Sequence, residues 1–202
     1  KLLNTFYKVK AIVNAKNYSL KYTKIVLKGN NYFLPCNALH RPACSAFLSG
    51  KYYEPKTHEF IRNLMIKNPG NLIHAGSFFG DMIPSFSAVV GDGFFLYAFE
   101  PVLENYILAK KCIQENEIIN TILMNTGLSS KFEVTKISTV TKQGKRNINL
   151  GGASTITEQG NQIINCISID QLNLDNITCI QLDIEGYELN ALKGAKKTII
   201  KN

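Results

Sequence analysis

From Thr57 onward the chain reads in two periodicities. Behind Thr57, a residue type that caps helices, Phe60, Ile61, Leu64 and Met65 recur at helical spacing to about Lys67, and Pro69-Gly70 stops the run. Asn71–Ala75 is a short apolar run leading into the turn Gly76-Ser77-Phe78-Phe79-Gly80, and a helix-like stretch follows from Met82 to Val90. Phe94–Phe99 is apolar without alternation, as expected of a strand buried on both faces. Pro101 then stands where a helix would have its first residue, and Leu103, Ile107, Leu108 and Lys111 continue that helix to about Gln114. Thr121–Met124, Ile163–Ile169 and Thr178–Ile184 read as further strands, and a last helix from about Tyr187 carries Leu189, Leu192 and Ile199. Strand and helix in alternation predict parallel βαβ units.

The rest of the chain is less regular. Thr23–Leu27 and Asn31–Leu34 are β-prone runs around Gly29-Asn30, which predicts a hairpin. The stretch from Pro35 to Pro55 has mixed polarity and reads mostly as loop. Lys131–Gln159 reads as a meander of short strands and turns. The expected division is an N-terminal extension over 1–56 and one α/β domain over 57–202.

Composition narrows the class. At 202 residues, 45% hydrophobic and 19% charged, the chain can bury one core, and no apolar run approaches the 18 or more residues of a membrane span. Five cysteines, odd in number and without CxxC spacing, point to free thiols in a reducing compartment, hence the cytoplasm. The net charge of +8 raises the question of a nucleic-acid partner. However, lysine far outnumbers arginine, Asn and Ile are abundant as in AT-rich coding, and the basic residues are scattered. A solvated surface is the better reading.

Two linked features carry chemistry. A glycine-bearing turn follows one strand, and Glu100 ends the next. In a Rossmann-like sheet the first such turn passes beneath the ligand, and an acid at the second strand's tip accepts hydrogen bonds from ribose. A dinucleotide would need GxGxxG facing its pyrophosphate. Here the turn is GxxxG with two bulky aromatics inside, which speaks for a nucleoside cofactor without phosphate, such as S-adenosyl-L-methionine.

The segments GKYYEP (Gly50–Pro55), HAGSFFG (His74–Gly80), YAFEP (Tyr97–Pro101), ISIDQL (Ile167–Leu172) and QLDIEGYELNALKGA (Gln181–Ala195) occur in this order. In this combination the chain resembles the FkbM-type methyltransferases over roughly residues 50 to 200. The resemblance implies a Rossmann-like class I methyltransferase fold, α/β, mostly parallel with helices on both faces. It also implies S-adenosyl-L-methionine as cofactor and O-methylation of a sugar or small polyhydroxylated acceptor. His74, Gly76, Ser77, Phe78, Gly80, Asp81, Glu100, Pro101, Asn125 and Thr126 are the expected cofactor-binding residues. Asn125 and Thr126 would face the adenine edge, and Phe78, Phe79 and Tyr97 would either wall the adenosine or serve as core aromatics. The chain departs from the family twice: His74 stands where an aspartate anchors the cofactor's amino-acid end, and Phe78 replaces an asparagine. Asp81 is the candidate to make up the lost carboxylate, and His74 is expected to be satisfied by backbone groups.

Asp183-Ile184-Glu185-Gly186-Tyr187-Glu188 is the second site. Strand alternation would set Gln181, Asp183 and Glu185 on one side. Methyl transfer to a hydroxyl needs the acceptor positioned and its proton removed, a task for Asp183, with Glu185 or Glu188 binding acceptor hydroxyls. Alternatively, Glu185 and Glu188 merely favour the next helix's N-terminus. A metal held by Asp183, Glu185 and Asp170 is disfavoured, since the motif holds no histidine. A sheet of this family continues with further strands, so an open edge is expected, with self-association or a partner chain. Two rival readings are a nucleic-acid methyltransferase, with a basic strip beside Asp183, and a non-catalytic module in which His74 and Phe78 mark a decayed pocket.

Overall fold

The computed structural model describes residues 20–139, 154–156 and 159–202. Tyr22–Leu27 (β1) and Asn30–Pro35 (β2) form an antiparallel hairpin with Leu27 opposite Asn30. Its two-residue turn is Lys28-Gly29, both with positive φ (48° and 85°), the twist that tight hairpins require. The turn therefore lies one residue earlier than expected. The stretch read as loop contains a 3₁₀ turn, Cys36–Ala38, and a helix, α1 (Pro42–Leu48), with Pro42 at its start. Ala43, Cys44 and Phe47 of α1 join Tyr32, Phe33 and Leu34 in a core that also takes in Phe79, Leu108 and Cys112. The N-terminal elements thus share a core with the residues around the glycine turn. Helix α2 (Pro55–Lys67) begins two residues before Thr57, whose hydroxyl donates to Glu54 Oε2 (3.1 Å) instead of capping the helix.

The βαβ pattern follows. β3 (Asn71–Ala75), α3 (Ile83–Ser87), β4 (Leu96–Phe99), α4 (Leu103–Glu115) and β5 (Thr121–Met124) succeed one another. Val102, not Pro101, is the residue ahead of α4, so Pro101 stands outside the helix. The chain then builds a second small sheet from β6 (Gly127–Leu128), β7 (Glu133–Thr139), β8 (Ser154–Ile156) and β9 (Gln162–Ile167), ordered β6-β9-β7-β8 and mostly antiparallel. Part of the expected meander, 140–153 and 157–158, lies outside the described residues. β9 leaves the central sheet and pairs here. After a 3₁₀ turn, Ile169–Leu172, the chain returns in β10 (Ile177–Leu182). The last helix is two short ones, α5 (Glu188–Lys193) and α6 (Lys196–Lys201). They bury Ala191 and Thr198, with Ala195 between them, and leave Leu189, Leu192 and Ile199 exposed.

The central sheet is parallel throughout, in the order β10-β3-β4-β5. Both faces of the inner strands β3 and β4 are covered, which is why neither alternates between buried and exposed residues. Leu72, Leu96 and Ala98 pack against Ile61 and Met65 of α2, Ile83 and Phe86 of α3, and Ala109 of α4. Ile73, Ala75 and Phe99 pack on the other face with Leu128, Ile169, Ala191 and Ala195. Fully burying side chains such as Leu72, Ile73 and Leu96 stabilises the fold by about 1.5–3 kcal/mol each. Among the described residues no strand pairs with the outer side of β10. All five cysteines are free thiols, and no described helix is long and apolar enough to cross a membrane.

Candidate active site

Register builds the site. Ala75 is level with Leu182 on one side and Phe99 on the other, and Phe99 is level with Met124. The next residue of each strand, Asp183, Gly76, Glu100 and Asn125, therefore stands in one row at the carboxyl edge of the sheet. The strand order turns back between β3 and β10, and ligands of open α/β sheets bind at such a switch point. A cleft opens there. It is lined by His74, Gly76, Phe78, Asp81, Glu100, Pro101, Thr126, Asp183 and Glu185 from the expected set, and by Arg41, Tyr53, Asn105, Ile137, Ile156, Gln181 and Tyr187 besides.

The turn after β3 is tightly determined. Gly76 has φ 89°, and a Cβ there would lie 2.0 Å from the Asp183 carbonyl oxygen, so only glycine lets β3 and β10 close at this point. Gly80 does not line the cleft; a Cβ there would press on Ala109 of α4 at 3.2 Å, so this glycine serves helix packing. Phe78 adopts φ 44°, a left-handed conformation that bulky residues rarely take. Ser77 is buried beside it, outside the cleft lining, and its hydroxyl finds no partner among the described residues.

Glu100 holds that turn. Its Oε2 accepts the Phe78 N–H (2.8 Å), and its Oε1 accepts the Val102 N–H (2.9 Å) and the Asn105 amide (3.4 Å). Burial pushes its carboxyl up to about 7 against these hydrogen bonds. Burial also raises Asp81 to about 7, with Asp183 adding repulsion. Asp183 is raised as well, by partial burial and by the charges of Glu54 and Glu188. Three carboxyls in one cleft thus resist ionisation.

Several expected roles need correction. His74 is fully buried, edge-on to Phe86 at 5.2 Å. Its Nδ1–H donates to Gln181 Oε1 (2.5 Å), a side chain and not the backbone, while Nε2 has no partner among the described residues. Burial lowers it to about 4, so it is neutral near pH 7 and cannot supply the charge of an aspartate. Asn125 turns away from the cleft and donates to the carbonyls of Glu100 (2.9 Å) and Pro101 (3.1 Å). Thr126 lines the cleft, with its hydroxyl donating to the Asn165 carbonyl (2.8 Å). Phe79 belongs to the core around Phe47 and Tyr97 to the core around Ile73, so of the three aromatics only Phe78 lines the cleft.

β10 ends at Leu182, so strand alternation never reaches Glu185, which sits in a turn with φ 56°. It still lines the cleft. Glu188 does not: its Oε1 accepts the N–H groups of Ile184 (3.0 Å) and Gly186 (3.3 Å), closing the turn ahead of α5. Asp170 accepts the backbone N–H groups of Lys197 (3.1 Å) and Thr198 (2.8 Å) in α6 and is not gathered with Asp183. Among the described residues no group of three potential metal ligands occurs.

Sequence reasoning missed Arg41, Tyr53, Asn105, Gln181 and Tyr187. A signal existed for Gln181, which shares strand parity with Asp183. None existed for Arg41, which lies in a stretch without periodicity.

Solved structures similar to this chain include a SAM-dependent methyltransferase from Aquifex aeolicus, at 18% identity over 39% of this chain and 40% of that one, TM-score 0.34. A SAM-dependent methyltransferase from Agrobacterium tumefaciens aligns at 9% identity over 55% of this chain and 34% of that one, TM-score 0.39. A SAM-dependent O-methyltransferase from Thermotoga maritima aligns at 18% identity over 51% of this chain and 40% of that one, TM-score 0.34. Each alignment thus takes in less than two thirds of the other chain. No curated protein sequence matches. The methyltransferase FkbM domain matches residues 74–202, from the histidine of β3 through the glycine turn, Glu100 and the Asp183 motif to the last residue. The chain belongs to the FkbM methyltransferase domain family.

Proposed function

We propose that this protein transfers the methyl group of S-adenosyl-L-methionine to a hydroxyl of a sugar or another small polyhydroxylated acceptor. The observation that carries the reading is the row of Asp183, Gly76 and Glu100 at one sheet edge, with buried Asp81 lining the same cleft. Asp81 and Glu100 ionise only at a cost here, and a cationic ligand removes that cost. S-adenosylmethionine brings a sulfonium and an ammonium and no phosphate, which suits a turn where Phe78 occupies the space a pyrophosphate would need. Neutral His74 cannot replace the family's aspartate, so Asp81 is the carboxylate for the ammonium end. A carboxylate offers about four acceptor sites, and three of Glu100's are taken, which leaves one for a ribose hydroxyl. Pro101 and Thr126 line the side left for the adenine.

When bound, the cofactor supplies a methyl carbon already activated by the sulfonium. The chain's own residues have two tasks. Asp183, solvent-accessible at the cleft and raised above its ordinary value, takes the proton of the acceptor hydroxyl, and Glu185 orients a neighbouring hydroxyl. The free cysteines support action in a reducing compartment, the cytoplasm. Calorimetry with S-adenosylmethionine, followed by transfer of its labelled methyl group to a panel of sugars, tests the reading. Absence of binding would make the chain a non-catalytic module. Salt-steep binding and methylation of RNA or DNA would favour the nucleic-acid rival.

A further inference from the structure

Arg41 lies upstream of the residues matched by the family, yet it reaches the cleft. It stands directly ahead of α1, and its guanidinium carbon is 4.9 Å from the centre of the Phe78 ring, in the turn between β3 and α3. The side chain is half-buried, and Glu100 and Glu185 are the carboxylates whose charge acts on it across the cleft. No described residue forms a direct ion pair or hydrogen bond with the guanidinium. It is also the only lysine or arginine among the described residues lining the cleft. A planar fork of five donors, partly removed from water and without an acceptor among the described residues, is arranged for a carboxylate or a similar anion.

We infer that Arg41 holds the α-carboxylate at the methionine end of S-adenosylmethionine, an inference that rests on the cofactor proposed above. The cofactor carries two cationic groups and one anionic group. The cleft presents carboxylates at Asp81, Glu100, Asp183 and Glu185 and, among the described residues, one guanidinium. The cofactor's carboxylate is repelled from the former and, among the described residues, finds a cationic partner at the latter. This also gives Phe78 a purpose at the position where the family carries asparagine: its ring is the platform that fixes the guanidinium over the turn.

Titration calorimetry of the intact protein with S-adenosylmethionine and with its decarboxylated analogue isolates that one group. Wild type should prefer the carboxylated ligand roughly ten- to a hundredfold, the range for a charge-assisted hydrogen bond. Arg41→Gln keeps a stem against Phe78; it should lower affinity for S-adenosylmethionine by that factor and leave the analogue's unchanged, so the preference collapses. Arg41→Lys, which keeps the charge without the fork, should retain part of it. Equal losses for both ligands, or an unchanged preference, overturn the assignment. Wild type without a preference overturns it too, with no variant needed. If wild type binds neither ligand, the cofactor reading falls with it, whereas binding whose preference Arg41→Gln does not alter removes this inference alone.

Discussion

Replacing Glu100 by glutamine separates the two roles the structure gives this residue. The carboxyl is 4% exposed and holds the amides of Phe78 and Val102. Burial raises it from its ordinary 4.5 to about 7. At about 1.36 kcal/mol per pH unit, the rise corresponds to roughly 3 kcal/mol. A carboxyl that binds its proton more tightly in the folded state contributes that stability fully below its unfolded value, and the contribution is lost as pH climbs through about 7. Glutamine does not ionise and escapes the loss. Asp81 titrates in the same window in both proteins, so the variant's profile is flattened and not level. Urea unfolding at about pH 4.5 and about pH 8 reads the difference: the stability gap should move in favour of Glu100→Gln by roughly 3 kcal/mol between them. At the acid end the two should lie within about 1 kcal/mol, since an amide and a protonated carboxyl offer the turn similar hydrogen bonds. Affinity for S-adenosylmethionine at about pH 8 should fall by about 1.5–3 kcal/mol. Parallel stability profiles would refute the claim that Glu100 is charged at a cost, and unchanged affinity in the folded variant would remove it from the ribose.

Three other substitutions test the remaining assignments. Asp183→Asn should lower turnover about 10²–10⁴-fold with cofactor affinity level, and wild-type turnover should rise with pH as this carboxyl ionises, at a pH above its ordinary value; loss of affinity in proportion to rate would make the residue a ligand anchor, with Glu185 next in line. Gly76→Ala places a Cβ 2.0 Å from the Asp183 carbonyl at a left-handed φ, and should cost more than the roughly 1–3 kcal/mol of such strain alone; an unshifted thermal midpoint would contradict it. Glu188→Ala removes the carboxylate that closes the turn ahead of α5 and should cost about 0.5–1.5 kcal/mol of stability with turnover intact; a fall in turnover in the folded variant would return Glu188 to the acceptor site.

What the sequence made legible was the local part of the fold. The bounds of β5 and the succession β3, α3, β4, α4 follow from apolar runs and their punctuation. Once parallel pairing is granted, the row at the sheet edge follows from strands of similar length ending together. β9 was legible as a strand and not as a member of another sheet, because partner choice is a non-local property that an apolar run does not encode. Helix α1 was invisible because seven residues give two turns, too few for a period to stand out from mixed polarity. For Glu188 the sequence left two readings open, and for Asn125 it offered only the adenine edge. Each side chain bonds to backbone nearby, Glu188 to the turn ahead of α5 and Asn125 to the carbonyls of Glu100 and Pro101, and the partner of the Asn125 amide lies across the sheet edge, where residue type alone does not point.

The overall charge and the cleft pull in opposite directions, and the contrast bears on the acceptor. The chain carries +8, yet the cleft is lined by Asp81, Glu100, Asp183 and Glu185 against Arg41 alone among the described residues. A phosphate drawn to within 4 Å of one ionised carboxylate meets a repulsion of about 4 kcal/mol at an effective dielectric of about 20. A nucleic-acid acceptor would bring several phosphates near Asp183, and its basic strip would have to stand beside that residue. Arg41 instead stands over Phe78, on the turn after β3. A polyol carries no charge and meets no such repulsion, while its hydroxyls can donate to Asp183 and Glu185. The sulfonium of the cofactor is attracted by the same carboxylates. Among the described residues the charges of the cleft therefore favour a cationic ligand over an anionic one.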